Sequence, residues 1–68
     1  MKARMFKTGR TAGIVPIGDD TLSVSFKLDV MLSMPMESDR DDGGVYVQKS
    51  DYERLRILAA EHGIEVET

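Results

Sequence analysis

The chain predicts a small α+β domain, an antiparallel sheet with one helix packed on one face. Three observations predict it. Residues 50–63 carry the start and stop signals of one helix, several short apolar runs around it alternate like strands, and 68 residues leave room for one core. A domain near this size buries only about 60% of the surface its unfolded chain exposes. Its core rarely supplies more than roughly 3–5 kcal/mol, so disulfides, a metal or a second subunit usually add to it. There is no cysteine and a single histidine, His62, which removes disulfides, thiolate sites and an imidazole cluster from consideration. Self-association is the remaining route to extra stability.

The elements follow in order. Residues 3–8, ARMFKT, read as a first strand ending at Gly9. TGRTAG, residues 8–13, reads as a loop on its two glycines. IVPI, residues 14–17, is a second strand that Pro16 should place at a sheet edge or give a bulge, because proline cannot donate to a ladder. GDDT, residues 18–21, is a turn of the kind that joins antiparallel strands.

The longest feature is TLSVSFKLDVMLSM, residues 21–34. Leu22, Val24, Phe26, Leu28, Val30, Leu32 and Met34 occupy every second position, the pattern of a half-buried strand. A helix over KLDVMLSM would gather Leu28, Met31 and Leu32 on one side, but LSVSF upstream is poor helix material, which favours the strand. Thirteen extended residues would reach roughly 43 Å, more than one helix of about 20 Å can cover. Phe26, Leu28, Val30 and Leu32 are therefore expected to form a dimer strand, paired with or packed on a second copy.

After a polar loop over residues 36–44, VYVQ (45–48) reads as a fourth strand. Ser50 and Glu53 are spaced as a capping box, and Asp51 adds negative charge where the helix dipole favours it. Tyr52, Leu55, Leu58, Ala59 and His62 recur at helical spacing and define an inward face, and Gly63 stands where a helix closes. IEVET, residues 64–68, is a charged edge strand. The expected order is β-β-β-β-α-β over residues 1–68.

Charge is unevenly spread. Residues 1–27 carry five Lys and Arg against two Asp, whereas residues 28–68 carry four against ten acids. No apolar run has the length of a signal peptide or a membrane span, so a cytoplasmic chain away from membranes is expected. Asp19–Asp20 and Asp41–Asp42 read as turn formers rather than an acid–base pair. ESDRDDGG, from Glu37, fails as a calcium loop: Asp42 falls where glycine is needed and Gln48 where glutamate is needed. KTGRTAG lacks phosphate-loop spacing. Lys2, Arg4, Phe6, Lys7 and Arg10 interleave base and aromatic, but Phe6 and Tyr46 alone make a poor stacking platform on an acidic protein.

No nucleophile–base pair, cofactor loop or metal set emerges, so no enzyme, cofactor or metal is expected. The favoured expectation is a non-catalytic protein-binding module, such as a small phage- or mobile-element-type inhibitor of a nucleic-acid-handling host complex. Glu37, Asp39, Asp41, Asp42, Asp51, Glu53 and Glu61 would present a phosphate-like field, with Ile57 as an apolar contact. One alternative is a self-assembling dimeric subunit. Another is a nucleic-acid accessory protein using the basic N-terminal edge, although direct nucleic-acid binding is not expected.

Overall fold

The structure, a computed structural model, describes residues 1–37 and 42–67. It is an α+β fold with a four-stranded mixed sheet and two helices packed on it. In chain order the elements are β1 (Lys2–Thr8), β2 (Thr11–Pro16), α1 (Val24–Ser33), β3 (Val45–Gln48), a short 3-10 turn (Lys49–Asp51), α2 (Tyr52–Glu61) and β4 (Glu65–Glu67). The sheet order is β3-β2-β1-β4.

β1 and β2 form an antiparallel hairpin with Ala3 opposite Pro16 and Thr8 opposite Thr11. Its loop is only Gly9–Arg10, and Gly9 has φ 54°, the positive value that a two-residue hairpin turn requires at its first central position. The expected loop over 8–13 is thus mostly strand. β2 lies inside the sheet rather than at its edge, paired on both sides. Pro16 is tolerated because it is the last residue, beyond Ile14, where the pairing with β3 stops.

β4 runs parallel to β1, with Lys2 opposite Glu65, so the sheet is mixed and not purely antiparallel. It occupies one edge, as the charged tail suggested. α2 carries the chain across the sheet from β3 at one edge to β4 at the other. Its C-terminus closes as expected around Gly63, at φ 72°: the amide of Gly63 donates to Ala60 and that of Ile64 to Ala59. Its N-terminus differs from the expected capping box. The chain enters through the 3-10 turn, no side chain caps the helix, and Glu53 instead bonds Arg56.

The main correction concerns the long run expected as a strand: Val24–Ser33 form a helix, with Ser23 and Met34 as its caps. The order is therefore β-β-α-β-α-β, and GDDT leads into a helix. The alternating pattern misleads for a geometrical reason. Two residues turn a helix by about 200° and four by about 400°, so alternate members of a period-two series fall on opposite sides of it. Leu22, Phe26, Val30 and Met34 form one stripe and are buried. Val24, Leu28 and Leu32 form the other and are exposed.

Size decides between the two readings. The longest dimension of the molecule is 26 Å, into which a 43 Å strand does not fit and a helix of about 15 Å does. Ser23 begins the helix, its hydroxyl accepting from the amide of Phe26 at 3.2 Å.

The core lies between the sheet and both helices. Ala3 and Met5 of β1, Ala12 and Ile14 of β2, and Val45 and Val47 of β3 face Phe26, Val30, Leu55 and Ala59. Phe26 and His62 meet edge to face at 5.5 Å, and His62 Nε2 lies 2.9 Å from the Asp29 carboxylate, tying α2 to α1.

Candidate interaction surface

The outward side of α1 is apolar, with Ser25, Asp29 and Ser33 on one flank and Lys27 on the other. Its inward stripe fills the core, and outside stand Val24, Leu28, Met31 and Leu32, exposed to 72, 50, 59 and 85% respectively. Soluble helices ordinarily carry charged or polar residues on that side. The only charged residues within α1 are Lys27 and Asp29, and Asp29 is engaged by His62. The spacing of four from Val24 to Leu28 and three to Met31 is that of a helix–helix seam.

Of the expected dimer strand, Phe26 and Val30 belong to the core and cannot also face a partner. Leu28 and Leu32 remain outward, on a helix that offers side chains rather than strand edges. Met31, which falls off the predicted strand face, joins them. Ile57 is exposed on α2, beside a groove between the helices that Met34, Leu58, Arg54 and Glu61 also line.

The acidic candidates do not gather into one face. Asp39 and Asp41 lie outside the described residues. The Glu37 carboxylate accepts from the Thr11 hydroxyl at 3.0 Å. Asp42 accepts from the Gly44 amide at 2.9 Å and from the Tyr46 hydroxyl, so it holds the entry to β3. Asp51 is buried at the start of α2, with Arg54 at 3.9 Å. Glu53 pairs with Arg56 at 3.1 Å, while Glu61 is exposed beside the groove.

The sheet face away from the helices has its own order. Phe6 and Tyr46 meet edge to face at 6.0 Å over Gly13, the residue between them in register. Tyr46 is only 3% exposed, which leaves Phe6 as the more accessible ring. Lys2 and Arg4 share this face, but their β4 register partners are Glu65 and Glu67. Lys7 is on the opposite face, its ammonium 4.7 Å from the centre of the Tyr52 ring. Arg10 lines an open hollow with Lys49 and Glu37. The basic–aromatic series of the sequence is therefore divided between two faces and partly matched by carboxylates.

Among the described residues no three His, Asp or Glu side chains cluster as a metal site, and no helix is long and apolar enough to cross a membrane. Comparisons of the chain with protein-family models, curated proteins and solved structures found no match.

Sequence reasoning named Leu28 and Leu32 for the wrong element, grouped Met31 with them only in the helical reading it set aside, and left Val24 out of the dimer strand. Ser23 at the head of the run and two interleaved series of spacing four fit a helix with two apolar sides, although the same series also fits a strand.

Proposed function

We propose that this chain is a non-catalytic protein-binding module whose docking element is the outward side of α1. The observation that carries the reading is the stripe of Val24, Leu28, Met31 and Leu32, each at least half exposed. Leaving these residues in water forgoes the stabilisation of burial, about 0.8 kcal/mol for each methylene-sized group. A contiguous apolar patch on a soluble domain marks an interaction site, and methionine adapts well to a partner's shape. An acidic, phosphate-like interface draws less support, because Glu37, Asp42 and Asp51 have partners within the fold. The nucleic-acid reading is weakened by the carboxylates set beside Lys2 and Arg4.

The test is comparative capture. Tagged wild-type protein and its Leu32→Asp variant are exposed to lysate of the native host under identical conditions. The expected result is a protein bound in stoichiometric amount by the wild type, whether foreign or a second copy of the chain, and lost with Leu32→Asp while the far-UV circular dichroism is unchanged. Identical capture by the two proteins would sink the assignment of α1.

A further inference from the structure

The occupant of the α1 stripe can be argued from area, charge and spacing. At about 30 Å² for each exposed methyl or methylene group, the four side chains offer roughly 300 Å² of apolar surface after their exposures are applied. Interfaces are about 60% apolar, so such a patch centres a contact of about 500 Å² on each partner, or about 1,000 Å² in total. That is the lower end of a specific interface. A symmetric pair reaches it with one ten-residue helix from each copy, because every residue of an isologous contact is used twice.

Charge favours the same occupant. The chain carries net charge −3, so two copies repel across most of their surfaces. α1 is the exception, holding one Lys and one Asp and no charge on the stripe itself. Like-charge repulsion between two copies is therefore smallest where the uncharged stripes meet, with Lys27 and Asp29 left at the flanks. The four-three spacing of Val24, Leu28 and Met31 matches a second helix of the same spacing.

We infer that two copies of this chain pair symmetrically through α1, with Leu28 and Met31 at the centre of the contact. This rests on the protein-binding reading and names the partner. An interface this small belongs with weak, transient contacts rather than permanent ones.

The test is sedimentation velocity on the full chain from about 10 µM to 1 mM, with Leu32→Asp and Leu28→Asp alongside. Leu32 is 85% exposed, so its substitution leaves the core untouched. The wild type should move from one chain toward two across that range, while both variants stay at one chain with unchanged circular dichroism. Methyl NMR of the wild type supplies a reading that needs no variant: the Met31 signal should shift with concentration, and buried Met5 and Met34 should not. A wild type that stays monomeric at 1 mM overturns the inference, as does a dimer indifferent to Leu32→Asp. If the wild type is monomeric but Leu32→Asp still abolishes capture of a foreign protein, pairing fails and the docking reading stands. If it is monomeric and capture is unaffected, both fall.

Discussion

Gly13→Ala tests the packing of the sheet's outer face. A Cβ at this position would lie 2.8 Å from Cζ of Phe6 and 2.9 Å from both Cδ1 and Cε1 of Tyr46, distances that require something to shift. Phe6 is only half buried and its ring tip can tilt away. Tyr46 is buried, and its hydroxyl is held by Asp42, so it cannot follow. Overpacking of this kind costs about 1–3 kcal/mol. Alanine returns about 0.5–1 kcal/mol, because glycine loses more backbone freedom on folding. With Tyr46 unable to move, the upper half of the overpacking range applies, and the net is a loss of about 1–2.5 kcal/mol, or roughly 4–20 °C in Tm for a domain of this size. Urea unfolding followed by far-UV circular dichroism measures it, with near-UV tyrosine signals reporting the ring. Adding Phe6→Leu should recover part of the loss by removing one of the two rings. A Gly13→Ala protein as stable as the wild type would refute the reasoning, because strand propensity would then outweigh a clash that is not there.

Two further substitutions probe other parts of the structure. Gly63→Ala places a side chain at φ 72° and should cost about 1–2 kcal/mol, read as a lower urea midpoint with an unchanged slope. Asp42→Ala removes the acceptor for both the Gly44 amide and the Tyr46 hydroxyl, and should lower stability by about 1.5–3 kcal/mol. Glu61→Gln, on the exposed side of α2, should stay within about 0.5 kcal/mol of the wild type in the same unfolding assay.

The parts of the fold that were legible in the sequence are those where one periodicity excludes the other. Leu55, Ala59 and Gly63 admit a helix and nothing else, and VYVQ is too short and β-branched for any reading but a strand. Residues 22–34 satisfy both periods at once, and local pattern alone cannot choose between them. What chooses is the size of the whole molecule, a tertiary property. Ser50 and Glu53 failed in another way: their spacing suits a capping box, but Lys49–Asp51 turns more tightly than an α-helix and Glu53 finds Arg56. Of the candidate site, the leucines could be named under either reading, whereas Met31 was grouped with them only in the helical reading set aside, because it joins them only when the backbone winds by 100° per residue. The parallel pairing of β1 with β4 left no local trace, since it depends on how far α2 carries the chain.

That pairing also sets an order of assembly. The β1–β2 hairpin closes a loop of two residues, whereas Lys2 meets Glu65 only after nearly the whole chain has been drawn together. By the logarithmic growth of closure entropy, the second event costs about 3 kcal/mol more than the first. β4 therefore docks late, and pairings so distant in sequence slow folding. Until it arrives, the outer edge of β1 is an unpaired strand edge, the surface on which partly folded chains join one another. At the β1 edge the hazard of misassembly thus lasts for one interval, which the last strand ends.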